Sequence, residues 1–452
     1  MKGRIRIGIR AEDKSPWERR TPITPDVVRE LVTQHSLEVL VEPSPVRVFG
    51  DEAYRAAGAV LTPDLSEAAV VFGVKEIPPA RLRKRQGYAF FSHVTKGQPY
   101  NMPMLGRLIE LEASLIDYEH VVDDQGRRLI FFGRYAGLAG MIDSLWALGR
   151  RLDWEELSHP FGEIRPAHAF DSLAAAKDAV RSAGERLARD GAPASITPLV
   201  VGVAGYGNVA RGVQEILSEL PTVEVEPQDL AALVASADAQ RNVVYRVTFR
   251  EEHLVERADP SQALELQEYY DHPERYRTRF APHLDQLTVL MNSIFWSERY
   301  PRLVTKQDVR RLFRAGARPR LRVIGDITCD IEGSIEVTER GTTPDSPVYV
   351  WDAAAGGARD GVAGNGPVVL AVDALPCELP RESSEDFSRV LAPLVPAIAR
   401  ANWAAPWGHV GLPDEIERAV IVHHGGLTPE YRYLEEHVEG TAGVEPASKE
   451  SL

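Results

Sequence analysis

Two runs of strand character end on titratable residues. "AAVVFGVKE" closes on Lys75, and "YAFFSHVTKGQ" closes on His93, with Lys96 and Gln98 directly after it. A histidine exchanges protons near neutral pH, and a lysine joins such chemistry when burial or neighbouring cations lower its pKa. Lys75 and His93 therefore read either as a general acid–base pair or as ordinary solvated strand ends. "WERRTPITP" places Arg19 and Arg20 just ahead of a helix, and "DDQGRRLIFFG" presents Arg127 and Arg128 on a hairpin-like turn. An arginine in either place can grip a carboxylate with two parallel hydrogen bonds, or simply lie on the surface.

A third motif points to a different ligand. "VVGVAGYGNVARG" is a strand that becomes a helix through Gly205, Gly207 and Ala210. The first glycine permits the tight turn, the second lets backbone N–H groups approach a pyrophosphate, and the alanine allows close helix–strand contact. The strand before it and the helix after it supply the context that the pattern needs. About twenty residues on, "PTVEVEPQDL" reads as the second strand, with Glu226 at its end. An acid there binds the ribose hydroxyls of NAD and repels the 2′-phosphate of NADP; a solvated loop carboxylate is the other reading. His423 and His424 are adjacent, so their side chains do not converge on one metal, and they are given no role. The sequence holds no metal-ligand cluster and no Gly-x-Ser-x-Gly elbow.

These residues need elements to position them. Up to about residue 140 the chain alternates strands and helices at the spacing of an α/β domain. "RIRIGIR", "LEVLVEP", "AAVVFGV", "GYAFFSH" and "SLIDYEH" are strands. "TPDVVRELVTQH" is a helix with Thr24 as N-cap and Pro25 at its first position, "DEAYRAAG" is a short helix, and "MPMLGRLIELEA" is a third. Parallel strands with helices on both faces bind ligands at their carboxyl ends, where Lys75, His93 and Glu119 all stand. A second unit begins near residue 140. Ala136, Gly137, Ala139 and Gly140 suit close helix packing, and residues 171–191 form an amphipathic helix ending at Gly191. Residues 353–367 read as a Gly/Ala-rich loop and 439–452 as a loose tail.

Composition narrows the class. With 452 residues and 44% hydrophobic content, the chain supports more than one cored domain. A net charge of −14 argues against nucleic acid or an anionic membrane as partner, and "RLRKR" at 81–85 is a solvated face. Cys329 and Cys377 lie far apart and form neither a disulfide framework nor a CxxC motif. The amino-terminal alternation is a strand rather than a signal peptide, and no run reaches the ~20 apolar residues of a membrane span. A reducing compartment is expected, most simply the cytoplasm.

Taken in order, "WERRTPITP", "GVKEIPP", "YAFFSHVTKGQ", "IDYEHVVDDQGRR", "FFGRYAGLAGMI", "GYGNVARG", "DHPERY", "NSIFW", "PRLVT", "GDITCDIEGSIE" and "LTPEYRYL" resemble one family. It is the lysine–ketoglutarate reductase family (saccharopine dehydrogenase, L-lysine-forming), the N-terminal half of animal and plant aminoadipate semialdehyde synthase. The sequence is similar, more distantly, to fungal saccharopine dehydrogenase. Both belong to the alanine dehydrogenase and transhydrogenase superfamily. "DHPERY" and "DIEGSIE" favour the reductase branch.

The resemblance implies an α/β fold of two Rossmann-like doubly wound domains with the active-site cleft between them. Residues 1–140, completed by 375–452, would be the substrate domain, and 141–374 the dinucleotide-binding domain. It implies joining L-lysine to 2-oxoglutarate and reducing the imine to saccharopine. Lys75 and His93 then match the acid–base pair, and Arg20 the arginine on a substrate carboxylate. Gln98, Arg128 and Phe132 match further substrate contacts, with Lys96 and Glu119 tuning the charge there. Saccharopine carries three carboxylates, which Arg20, Lys96 and Arg128 would answer. Arg127, Asn208, Val209, Asn292 and Asp326 match the cofactor side. Branch membership favours NADP(H), with NAD(H) the alternative that Glu226 supports; Arg241 or Arg246 is available for a 2′-phosphate. The saccharopine-cleaving half of the bifunctional proteins is absent from this sequence, and a separate saccharopine-cleaving dehydrogenase is one candidate partner, which the sequence does not decide. The competing readings are another imine or keto-acid reductase of the superfamily, and a non-catalytic protein that senses lysine or nucleotide.

Overall fold

The computed structural model describes residues 4–259, 261–315, 317 and 319–439; the tail expected beyond residue 439 lies outside them. The chain divides into two compact units, one made of residues up to Phe132 together with those from Pro380 onward, the other of Gly133–Leu379.

In the first unit β1 (Arg6–Ile9), β2 (Glu38–Val41), β3 (Val60–Leu61), β4 (Val70–Phe72), β5 (Gly87–Phe90) and β6 (Ser114–Asp117) run parallel in the order β3-β2-β1-β4-β5-β6. The central strands are buried on both faces, which is why they read as apolar runs rather than alternating ones. The chain order reverses between β1 and β4, and the crevice at such a switch point is where doubly wound sheets bind ligands. Helix Pro25–Thr33 starts after Thr24 with Pro25 at its first position. The Thr24 hydroxyl does not cap it. It instead meets Ser388 Oγ at 3.2 Å, on helix Pro380–Leu391.

The second unit contains β7 (Leu199–Ala204), β8 (Thr222–Glu224), β9 (Val244–Phe249), β10 (Val255–Arg257), β11 (Tyr276–Thr278), β12 (Val289–Asn292), β13 (Val323–Asp326), β14 (Val348–Asp352), β15 (Gly357–Asp360) and β16 (Val368–Leu370). β10 and β11 form a separate antiparallel ribbon. The others form one sheet in the order β15-β14-β16-β13-β12-β7-β9-β8, parallel from β16 to β8. One expectation is corrected here. Residues 353–367 are not all loop, because β15 pairs antiparallel with β14; its Gly/Ala composition hid a short, mostly exposed edge strand. The strand beside β7 is β9, since β8 lies one place further out. In the first unit β17 (Val420–His423) then adds antiparallel to β6 and turns through His424 and Gly425 into β18 (Gly426–Leu427). His423 Nε2 meets Ala405 O at 2.9 Å, a structural bond.

Small residues let two helices of the second unit touch backbone to backbone. A Cβ on Gly137, in helix Gly133–Trp154, would stand 1.9 Å from Val209 O, and one on Gly212, in helix Asn208–Leu217, would stand 2.0 Å from Arg134 O. That contact seats the helix that follows the glycine turn. Among the described residues no helix is long and apolar enough to cross a membrane.

The long helix also carries Asp143, which is fully buried and hydrogen-bonded to the buried Glu378 carboxyl. Two carboxylates cannot donate to each other, so the pair holds a proton. Burial pushes Glu378 up to about 7 and Asp143 well above the carboxylate range. Glu378 Oε2 also accepts the His168 backbone N–H at 3.1 Å and faces His168 Nδ1 at 3.2 Å. The native state binds more protons than the unfolded chain from about pH 4.5 to about 7, so stability falls as pH rises through that window. Glu378→Gln is expected to flatten this decline in stability by an amount on the order of 1–3 kcal/mol, followed as melting temperature against pH. An identical pH slope in both proteins would contradict the shared proton.

Candidate active site

In the first unit the residues after β1, β4, β5 and β6 form a connected polar cluster. Glu12, beyond β1, is buried; Oε1 accepts Val74 N–H at 2.8 Å and Oε2 accepts Lys75 N–H at 3.0 Å. The same carboxylate faces Arg10 Nη1 at 3.2 Å. Burial raises the pKa of Glu12 against the pull of Arg10. The backbone of Lys75 is thereby fixed, while its ammonium has no hydrogen-bond or ion-pair partner among the described residues. It is half-buried.

His93 sits three residues beyond β5. Its Nδ1 lies 2.7 Å from Glu76 Oε1, and Glu76 Oε2 pairs with Lys14 Nζ at 2.8 Å. Burial alone would raise the Glu76 pKa, but the bonds to His93 and Lys14 hold it well below the usual carboxylate range. The ring is thus oriented through Nδ1, and Nε2 has no partner among the described residues. His93 adopts φ +49°, a left-handed conformation that costs about 1–2 kcal/mol for a residue with a Cβ. The neighbourhood holds it there. Asn101 Nδ2 donates to the carbonyls of Ser92 and His93, both at 3.1 Å. Ser92 donates its N–H and its hydroxyl to Asp117, the last residue of β6. Strain of this kind, over-determined by surrounding bonds, gathers at functional sites.

The remaining expected residues are placed as follows. Gln98 follows His93 on the same loop, and its Oε1 is buried with no partner among the described residues. Lys96 is exposed. Arg20 is 3% exposed, lies 4.3 Å over the Phe132 ring, and already forms a two-pronged pair with Glu18, at 2.8 and 2.6 Å. An incoming carboxylate would compete with Glu18. Phe132 stacks on Phe387 at 5.0 Å. Arg128 pairs with Glu119, and Arg127 donates to Asp123 at 2.8 Å. Asp117, Glu119 and His120 bring ligand atoms within 4.8 Å of one another. Asp117 accepts from Ser92 and from Glu119 N–H, and Glu119 from Arg128, so the group reads as structural. The sequence reading missed Glu12, Glu76, Asn101 and Asp117. Only Glu76, beside Lys75 in "GVKE", carried a local signal.

In the second unit the glycine turn follows β7. Gly205 has φ +99°, and a Cβ there would stand 3.1 Å from Ser293 O. Gly207 precedes helix Asn208–Leu217, and no atom lies within 4 Å of where its Cβ would be. Tyr206, Gly207 and Asn208 are exposed, Val209 is half-buried, and Ala210 is buried. An open cradle of backbone in front of a helix N-terminus fits the pyrophosphate of a dinucleotide. Asn292 and Asp326 end β12 and β13 and face inward. Asn292 Nδ2 donates to Asp326 Oδ1 at 2.8 Å, Asp326 Oδ2 accepts from Thr338 Oγ1 at 2.6 Å, and Asn292 Oδ1 has no partner among the described residues. Burial raises the Asp326 pKa despite these donors. Glu226 is exposed, two residues past β8. The ribose rule counts about twenty residues on from the turn, a spacing that Glu226 keeps, although β9 stands between β7 and β8 in the sheet.

Several known proteins are similar to this chain. Residues 8–139 match the family described as alanine dehydrogenase/PNT, N-terminal domain. The alpha-aminoadipic semialdehyde synthase of Arabidopsis thaliana is 36% identical over 445 residues, which is 95% of this chain and 41% of that protein. The mitochondrial synthase of Bos taurus is 37% identical over 444 residues, 95% of this chain and 47% of that protein. The saccharopine dehydrogenase [NAD(+), L-lysine-forming] of Yarrowia lipolytica is 26% identical over 425 residues, 90% of this chain and 96% of that protein. The chain belongs to the lysine–ketoglutarate reductase and saccharopine dehydrogenase family. It spans under half the length of the semialdehyde synthases. Among solved structures, this member of the reductase family is similar in fold to an L-alanine dehydrogenase, with a TM-score of 0.60 and 17% identity over 97% of this chain and all of the other. It is likewise similar to the transhydrogenase of Sinorhizobium meliloti, with a TM-score of 0.54 and 14% identity over 94% and 100%.

The empty space at Gly207 gives a test of the cradle. Gly207→Val is expected to leave the melting temperature nearly unchanged, because apart from its chain neighbours no described atom lies within 4 Å of the new Cβ. Dinucleotide binding, read by NAD(P)H fluorescence, should weaken by at least about tenfold. Undiminished binding would remove the turn from the cofactor site.

Proposed function

We propose that the protein joins the ε-amine of L-lysine to 2-oxoglutarate and reduces the resulting imine to saccharopine. The observation that carries this reading is the pairing of Lys75 and His93 at the carboxyl ends of adjacent parallel strands. One has a free ammonium on a fixed backbone, the other a ring oriented by Glu76 with Nε2 free. The chemistry needs two such groups. The substrate amine must lose a proton to attack the ketone, and the carbinolamine must gain one to expel water. Two neighbouring groups of different type divide those tasks. Lys96 and the unsatisfied Gln98 oxygen lie on the His93 loop, where a carboxylate and an ammonium of the substrates find partners. Arg20 joins them by exchanging Glu18 for a substrate carboxylate.

A nicotinamide dinucleotide bound at the Gly205–Ala210 turn supplies the two electrons that reduce the C=N bond. The chain's part is to seat it: Gly205 makes the turn, Gly207 leaves the approach open, and the helix N-terminus favours the phosphates. NADPH is the form we favour, with NADH the alternative. The names of the relatives support the substrates proposed here. Two free cysteines suit a reducing compartment, which we take to be the cytoplasm.

The reading is tested by following NAD(P)H absorbance with lysine and 2-oxoglutarate added singly and together. Oxidation is expected only when both are present. Lys75→Met or His93→Gln should lower kcat by ~10²–10⁴. Near-normal turnover in both variants would remove the pair from the mechanism, and oxidation with a different amine would move the protein to a sister reductase.

A further inference from the structure

The strand order of the second sheet decides which side chain stands beside the glycine turn. β9 pairs with β7 along its whole length, and Gly205 N–H donates to Phe249 O at 3.0 Å. A dinucleotide with its pyrophosphate at the first helix directs its adenosine half over the carboxyl end of the strand adjacent to the first one. In this chain that end delivers Arg250. Its guanidinium carbon lies 5.0 Å from the ring centroid of Tyr206, the residue between the two glycines. Arg250 is exposed and forms no ion pair among the described residues.

The neighbouring charges are committed elsewhere. Arg246 pairs with Glu224 at 3.2 Å, and Arg241 donates to Ala192 O at 3.2 Å, so neither arginine expected from the sequence is free. Glu251, next to Arg250, accepts from the Tyr206 hydroxyl at 3.2 Å and from the Tyr270 hydroxyl at 2.9 Å. The phenols occupy its oxygens and draw it to the far edge of the Tyr206 ring. A guanidinium stacked on an aromatic face keeps its N–H edge available, and that edge matches a phosphate.

We propose that Arg250, stacked on Tyr206, recognises the 2′-phosphate of NADP(H) and so sets the cofactor preference of this enzyme. The proposal rests on the dinucleotide reading of the Gly205–Ala210 turn. Calorimetry of the full chain with 5′-ADP and 2′,5′-ADP tests it without turnover. The wild type is expected to bind 2′,5′-ADP about ten- to a hundredfold more tightly, as one charged contact would give. Arg250→Gln should bring the ratio near one, and Arg250→Lys should retain part of it. Tyr206→Leu should lower it by removing the platform. A ratio unchanged by Arg250→Gln, or a wild type that binds the two probes equally, would overturn the assignment and leave the turn standing. A wild type that binds neither probe nor NADPH would overturn the dinucleotide reading itself.

Discussion

Buried carboxylates lash the strand ends together, and the polar edge of each unit depends on them. Glu12 holds the amides of Val74 and Lys75 beyond the neighbouring strand. Asp117 holds Ser92, also beyond the neighbouring strand, and the amide of Glu119. Asp326 holds Asn292, Thr328 and Thr338. An ionised group taken out of water is expensive unless donors surround it, and burial raises the pKa of all three. Each is stable only while the adjoining strand end presents its N–H or O–H groups in place. A parallel sheet covered on both faces has no other outlet for polar chemistry, so the same constraint that demands apolar strands concentrates the chemistry at the carboxyl edge.

The two units use that edge differently. In the first, the bonds are dense enough to keep His93 in a left-handed conformation, with Asn101 on its carbonyl and Glu76 on its ring. Proton transfer gains from such fixed geometry, since the groups need not reorganise as charge moves. In the second, the edge is left open. Tyr206, Gly207 and Asn208 are exposed, and apart from its chain neighbours no described atom lies within 4 Å of a Cβ on Gly207, an openness that suits the dinucleotide proposed to bind there. Close packing of the helices behind it, through Gly137 and Gly212, keeps the opening from collapsing.

Much of this was legible in the sequence, and the failures have physical causes. Strand-end placement of Lys75 and His93 followed from apolar runs ending on polar residues. The glycine turn followed from its strand–helix context. Glu12 and Asp117 were missed because the partners that tie them to a neighbouring strand, Val74 and Lys75 for one and Ser92 for the other, are over twenty residues away in the chain and meet them only through strand pairing. Nothing in the sequence shows that β9, the later strand in the chain, pairs with β7 while β8 lies one place further out. The Glu18 carboxylate beside Arg20 was in plain sight in "WERR", yet nothing local says that the side chains fold back on each other. β15 escaped because an exposed edge strand needs no apolar run.

The account stands or falls on where the reducing equivalent goes. The direct measurement is mass spectrometry of the product formed from lysine, 2-oxoglutarate and NADPH deuterated at C4 of the nicotinamide. The account predicts saccharopine carrying one deuterium on the carbon that was the ketone of 2-oxoglutarate. Deuterium in a hydroxy acid, or in the adduct of another amine, would contradict it.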